Sequence, residues 1–386
     1  MSGQPFTPRI AIIGGGPAGL VLLNVLARNN VPATLYERDD ESSARAKLGG
    51  SLDLHVETGQ AALKAAGVWN SFENSSSVDR QEIRFANHQG KDLWQWAPPP
   101  DRTEFAFPEI DRADLCRILV DGAPEGSIKW GHGFVSATPV PGTEEWELTF
   151  ANGEKAIVDL VVGADGGRSR VRPLLSDVKV QYTRVNGLEA SWEAAKHPEL
   201  AARVGGGTVW IPGPEHRLIY SQRSASGRVV TYAWFVCDDE NEFIRDPETR
   251  VPRLLEYYKD WAPWVKDLVG VADRVVPRPL YMLPVGHEWA HRAGVTLIGD
   301  AMDLMTPFAG KGANIAMLAG LRLGRALVAA RGASKEEFDA KVAEYEKEMF
   351  PLAKADAHET EMNMQGFMFG DFDDESIVEM AKMRWK

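Results

Sequence analysis

Two rhythms of apolar and polar residues divide the chain. Arg9–Ile13 is a short apolar run, interrupted by the turn Gly14–Gly19. Apolar positions then recur at helical spacing over Leu20–Asn29, and Val31–Tyr36 predicts a second strand ending at Glu37. This is the pattern of a βαβ unit. Residues 56–72 keep a helical period, Gln81–Trp96 alternates around Asn87–Gly90 as a hairpin does, and Ala113–Leu119 predicts another helix. Strands are expected at Glu145–Phe150 and Lys155–Val162, on either side of the turn pair Asn152-Gly153. From about Val178 to Arg278 the texture changes to short β-rich runs: Thr208–Ile211, Arg217–Gln222 and Arg228–Cys237. Gly, Pro and Ser turns separate them, which predicts an antiparallel sheet followed by a helical stretch near Val251–Val265. The tail from Ser334 has helical period, with a break or kink expected at Pro351, and Asp371–Glu375 reads as a solvated acidic end.

Composition narrows the classes. A chain of 386 residues and 42.5 kDa is long for one core, so two domains are expected. The net charge of -12 argues against nucleic acid and against an anionic membrane surface as partners. Cys116 and Cys237 lie in apolar runs, and neither they nor the eight histidines show disulfide or metal-ligand spacing, so no metal is expected. The first residues are polar and lack an apolar h-region, which points to a cytoplasmic protein. A monomer is expected.

The chemistry is carried by three turns. Gly14-Gly15-Gly16-Pro17-Ala18-Gly19 is a G-x-G-x-x-G between strand and helix. Gly14 permits the tight turn, Gly16 lets a pyrophosphate approach the backbone, and Gly19 permits close helix–strand packing. The helix N-terminus adds N–H donors and partial positive charge. Glu37, 18 residues beyond Gly19 at the end of the second strand, is placed to accept ribose hydroxyls. This turn alone does not separate NAD from FAD. The second turn, in DLVVGADGGRSRVR at 159–172, follows an apolar strand with Ala164-Asp165-Gly166. The third, in VTLIGDAMDLMTPFAGKG at 295–312, follows a strand with Gly299-Asp300, then Pro307 and a glycine-rich turn opening a helix at Ala313–Leu327. An aspartate there suits a ribityl hydroxyl, and the helix after Gly312 suits a flavin ring, so the three turns together point to FAD.

The three segments resemble the aromatic-ring hydroxylase family of FAD-dependent monooxygenases across nearly the whole chain. GGSLDLHVETGQAALKAAG at 49–67, FPEIDRADLCRIL at 107–119 and GDAMDLMTPFAGKGAN at 299–314 are similar to the tetracycline-inactivating flavin monooxygenases, the tetracycline destructases. The resemblance implies an α/β fold: a Rossmann-like FAD-binding domain with a mixed sheet, a smaller antiparallel-sheet substrate domain and a C-terminal bridging helix. FAD-binding segments are expected at 1–80, 107–177 and 277–333, substrate segments at 81–106 and 178–276, and the helical segment at 334–386. Glu37, Arg38, Asp53, Arg112 and Asp300 are implied as FAD contacts, Asp165 as a supporting residue and Arg45 as a nicotinamide contact.

The implied activity is NAD(P)H- and O2-dependent hydroxylation of a bulky aromatic or polycyclic small molecule, through a flavin C4a-hydroperoxide. No side-chain nucleophile is needed, and Pro307, Gly310 and Gly312 are the candidate ring-facing positions. Where the subgroup carries His, Pro and Gln, this chain has Asp303, Thr306 and Lys311. Lys311 is expected to place a positive charge near the flavin ring. Substrate candidates are Glu189, Trp210, Tyr220 and Met364, with His216, Arg217 and Arg223 as further positions for a phenolic substrate. Glu189 stands where a Gln is usual. A carboxylate there predicts repulsion of an enolate, so tetracycline is not expected to be the best substrate. A flavin dehydrogenase or reductase remains an alternative. So does a halogenase, since Trp94-Gln95-Trp96-Ala97-Pro98 partly matches W-x-W-x-I-P, and so does a non-catalytic binding module on a flavin fold.

Overall fold

The computed structural model describes residues 6–41, 50–77, 81–97 and 108–384. At its centre lies a five-stranded parallel sheet in the order Val295–Leu297, Leu160–Gly163, Ile10–Ile13, Ala33–Tyr36, Ile128–Lys129. Every residue of Ile10–Ile13 and Leu160–Gly163 is buried, as expected of parallel strands covered on both faces. Helix Pro17–Arg28 packs against helix Gly312–Ala329. A separate antiparallel sheet of Phe134–Pro139, Trp146–Phe150 and Lys155–Val158 lies alongside. The expected mixture of parallel and antiparallel strands in this half is therefore divided between two sheets.

The run expected as one strand, Lys155–Val162, is split. Asp159 turns inward, where its carboxylate accepts from the Arg9 backbone N–H at 2.8 Å and Nε at 2.9 Å. The chain thus leaves the antiparallel sheet and enters the parallel one at that residue.

A second, seven-stranded sheet has the order Arg274–Pro277, Val185–Glu193, Arg228–Val236, Arg217–Arg223, Thr208–Gly213, Ile83–Ala86, Asp92–Trp96. Its neighbours are antiparallel except Thr208–Gly213 and Ile83–Ala86, which run parallel. Backbone pairing thus draws the hairpin Ile83–Trp96 into the later β-rich region. Alternation gives this sheet two faces. Leu188, Ala190, Trp192, Ile211 and Ile219 pack beneath helices Pro198–Val204, Arg250–Tyr257 and Pro263–Gly270. Trp210, Leu218, Tyr220, Tyr232 and Trp234 point the other way.

Helix Lys335–Phe369 bridges the two sheets. Ser334 and Glu337 form a capping box at its start. Tyr345 and Met349 join the core of the parallel sheet, whereas Met364, Phe367 and Met368 join the aromatic face of the other. Of the break or kink expected at Pro351, a break is ruled out: the helix runs through it. Only the N–H that would bond the Lys347 carbonyl is lost, and both residues lie on the exposed side, where that carbonyl is open to solvent. The acidic end is not wholly solvated either. Asp374 opens a last helix, Asp374–Arg384, and accepts from Asn87 at 2.7 Å and Lys91 at 3.0 Å on the hairpin. Among the described residues no helix is long and apolar enough to cross a membrane.

Candidate functional site

Strands Val295–Leu297, Leu160–Gly163 and Ile10–Ile13 are neighbours, so the three turns that follow them gather at the C-terminal end of one sheet. Ligands of α/β sheets bind at that end. Gly14 has φ +114°, and a Cβ there would lie 2.3 Å from the Ala164 carbonyl oxygen. A Cβ on Gly19 would lie 2.2 Å from the Gly14 oxygen, so the helix sits against the turn as that position requires. Around Gly16, in contrast, a Cβ would meet nothing within 4 Å, and Gly16 caps the helix with no side-chain hydrogen bond. That open N-terminus fits a pyrophosphate. Glu37 is buried and accepts from the N–H of Gly15 at 2.6 Å and of Asp39 at 3.0 Å, which ties the turn to the second strand.

Asp165 holds the second turn. It accepts from Ser169 Oγ at 2.5 Å and from the Arg170 and Val171 N–H groups at 2.7 and 3.3 Å. Burial pushes its carboxyl up, against these donors. Arg172, 4% exposed, joins the second turn to the third: it donates to the carbonyls of Ala301 (2.8 Å), Gly167 (2.8 Å) and Asp300 (3.2 Å). Its run of arginines was visible in the sequence, but its clamp across 128 residues was not.

Asp300 is enclosed by protein yet partly accessible, and its carboxylate accepts no hydrogen bond from the described residues. Burial raises its pKa, with Arg112 and Arg172 opposing. Arg112, the first residue of helix Arg112–Asp121, is exposed; its backbone N–H donates to the Gly50 carbonyl at 3.3 Å, and its guanidinium makes no hydrogen bond or ion pair with the described residues. An open acceptor beside an uncommitted guanidinium suits the hydroxyls and phosphates of FAD. Arg38 is also exposed, 3.6 Å from Asp39. Arg45 lies outside the described residues.

Asp53 faces the turn at Gly310, where a Cβ would stand 3.5 Å from its Oδ1, and it contacts His55 Nε2 at 3.2 Å. Asn314 fastens the two segments. Its Oδ1 accepts from the N–H of His55 (2.9 Å) and Gly59 (3.2 Å) and from Thr58 Oγ1 (3.0 Å), while its Nδ2 donates to the Asp53 carbonyl at 2.8 Å. Sequence reasoning missed Asn314, although it lies two residues past Gly312 at the opening of a helix.

Pro307 and Gly310 are exposed, and Gly312 starts the helix Gly312–Ala329. The long C-terminal helix holds this loop: Thr360 Oγ1 donates to the Thr306 carbonyl at 2.7 Å and Asn363 Nδ2 to that of Phe308 at 3.2 Å. Lys311, expected to place a positive charge near the ring, has that charge offset. Its ammonium pairs with Asp356 at 2.9 Å and Glu359 at 2.6 Å on the long helix, because two carboxylates lie within its reach.

On the aromatic face, Glu189, Tyr232, Tyr220, Trp210 and Phe85 are cross-strand partners in one row over five strands. Three of the four substrate candidates therefore share a row. The fourth, Met364, packs in the same cluster from the long helix. Trp210 stacks on Phe367 with ring centroids 4.8 Å apart and meets Tyr220 edge-on at 4.5 Å. Tyr232 was missed; the alternation of Tyr232 and Trp234 along Arg228–Val236 was its signal. Burial raises the hydroxyl pKa of both Tyr220 and Tyr232, so both stay protonated donors near neutrality. Glu189 is buried but not alone: Arg278 donates to its Oε2 from Nε at 2.8 Å and Nη2 at 2.7 Å. The repulsion expected of an unpaired carboxylate is thereby compensated. Arg217 is a structural residue, bound to Asp260 and the Pro214 carbonyl.

A family model described as an FAD binding domain matches residues 7–358. Monooxygenase penA of Penicillium thymicola is 30% identical over 371 residues, covering 83% of this chain and 84% of that protein. Among solved structures, Klebsiella pneumoniae HpxO complexed with FAD and uric acid superposes with a TM-score of 0.80 at 20% identity, covering 98% of this chain and 93% of that one. The tetracycline destructase Tet(51) does so with a TM-score of 0.75 at 20% identity, covering 98% and 95%. The open glycine turn, the uncommitted Asp300 and Arg112 and these matches agree: the chain belongs to the FAD-binding-domain family of flavin monooxygenases.

Proposed function

We propose that the chain hydroxylates a bulky aromatic or polycyclic, polyketide-like small molecule, using NAD(P)H and O2. The observation that carries this reading is the row Glu189–Tyr232–Tyr220–Trp210, with Phe308 of the ring loop 5.2 Å from Trp234 on the same face. Such a surface takes flat rings by stacked and edge-on contacts, and its two tyrosine hydroxyls donate to a carbonyl or phenolic oxygen. The relatives named as a uric-acid complex and a tetracycline destructase support a fused-ring ligand.

Bound FAD would supply the redox chemistry that couples oxidation of NAD(P)H to insertion of one oxygen atom of O2 at an electron-rich carbon. This chain's residues bind and orient. Gly14, Gly16 and Gly19 shape the pyrophosphate turn, Glu37 and Asp300 take ribose and ribityl hydroxyls, and Arg38, Asp53 and Arg112 complete the cofactor contacts. Asp165 braces the second turn. Pro307, Gly310 and Gly312 present the ring loop, and Met364 and the aromatic row exclude water. The segments 1–80, 107–177 and 277–333 form the cofactor domain, and 81–106 with 178–276 the substrate domain. The pairing of Ile83–Ala86 with Thr208–Gly213 supports that division.

The test is stopped-flow reduction of bound flavin by NADPH and by NADH, with flavonoids, anthraquinones and tetracyclines as ligands. Acceleration by at least one planar ring system is expected. Rates unchanged by every ligand, with peroxide as the sole product, overturn the proposal.

A further inference from the structure

Asp303 is a buried carboxyl that the cofactor contacts above do not use. Its side chain is 5% exposed, its Oδ2 is fully enclosed without a partner, and neither oxygen accepts a hydrogen bond from the described residues. The groups acting on it are alike in sign. Asp300 stands three residues earlier in the same turn, and Asp356 approaches from the long helix. The nearby cations are committed elsewhere: Lys311 to Asp356 and Glu359, Arg172 to three backbone carbonyls beside Asp300. His287 contacts the Met302 carbonyl at 2.9 Å and Ser176 Oγ at 3.1 Å, and burial, with Arg172, lowers its pKa. The Thr306 and Thr360 hydroxyls contact each other at 3.4 Å, and Thr360 donates to the Thr306 carbonyl at 2.7 Å. A charge on Asp303 is thus both desolvated and repelled, whereas a proton removes both penalties.

We propose that Asp303 takes up one proton from solvent when FAD binds, so that cofactor affinity is coupled to the neutral form of this carboxyl. FAD brings a doubly charged pyrophosphate to the neighbouring turn and excludes water from Asp300, which strengthens the repulsion between Asp300 and Asp303. Burial, with Asp300 and Asp356, already pushes the carboxyl up to about 7 in the protein without cofactor. Binding raises it further. Affinity therefore falls as pH rises above 7, by up to about tenfold per pH unit for one linked proton.

The experiment measures FAD dissociation constants by flavin fluorescence from pH 6 to about pH 8.5 for the wild type, Asp303→Asn and Asp356→Asn. Calorimetric titration at one pH, in buffers of different ionisation heat, counts the protons taken up. The wild type is expected to take up a proton and to weaken with pH. Asp303→Asn, a mimic of the protonated form, should bind without that slope and several-fold tighter than the wild type near pH 8. Asp356→Asn should move the weakening to lower pH, which keeps the test decisive where Asp303→Asn does not fold. The proposal is overturned if the wild type takes up no proton at about pH 8, if Asp303→Asn keeps the wild-type slope, or if Asp356→Asn weakens over the same pH range as the wild type. The readout is FAD binding alone, so its failure is distinct from any failure of the substrate assignment.

Discussion

Replacing Asp300 by Asn should have opposite effects on the free protein and on cofactor binding. In the free protein the carboxylate is partly buried, accepts no hydrogen bond from the described residues, and lies near Asp303; Arg112 and Arg172 offset its desolvation. Arg172 loses little, since three carbonyls satisfy it. Removing the charge should therefore stabilise the apoprotein by about 1 kcal/mol. For a chain of 386 residues the unfolding entropy is about 0.8 kcal/mol/K, so Tm should rise by about 1 °C. In the complex, the proposed charge-assisted hydrogen bond from a ribityl hydroxyl would be lost. That costs about 1.5–3 kcal/mol, or about ten- to a hundredfold in affinity. The amide oxygen keeps some acceptance, so Asn should fall near the lower figure and Ala near the upper. Thermal unfolding of the apoprotein and fluorescence titration with FAD read the two effects separately. Wild-type affinity in Asp300→Asn, or an apoprotein destabilised in proportion to the lost affinity, would refute the reasoning.

Arg172→Ala should destabilise the protein by more than about 3 kcal/mol in denaturant unfolding, because it strands three carbonyls; a loss below about 1 kcal/mol contradicts the clamp. Arg278→Gln should cost more stability than Glu189→Gln in the same assay. The first leaves a carboxylate 7% exposed without its partner, and the second leaves a guanidinium 41% exposed; equal losses contradict that asymmetry. Burial opposes charge on His291, but Asp339 at 3.0 Å and Glu346 at 2.8 Å outweigh it and raise its pKa. Its stabilisation is then full below the ordinary value of 6.5 and lost as pH rises through the raised one, so the Tm gap between wild type and His291→Gln should narrow on alkalinisation. A gap that does not change with pH would refute it.

Much of the cofactor side was legible because its constraints are local. A strand, a glycine turn and a helix leave a continuous signature, and Gly14 and Gly19 stand where close backbone contact demands them. The aromatic row proposed as the substrate side is built by pairing across strands. Glu189, Tyr232, Tyr220 and Trp210 form a row only once the registers are known, and nothing near Glu189 in sequence announces Arg278, 89 residues away. The role of Lys311 was likewise decided by the distant acids of the long helix, and the passage through Pro351 by which side of that helix faces water.

The central claim is oxygen transfer to a ring substrate, and isotopically labelled dioxygen tests it most directly. The FAD-loaded protein would be incubated with NADPH or NADH and the planar ligand that most accelerates flavin reduction. The products would then be weighed by mass spectrometry. The account predicts one labelled oxygen atom per product molecule, with its partner atom in water. Unlabelled product, or reductant consumed with all the oxygen recovered as hydrogen peroxide, would contradict it.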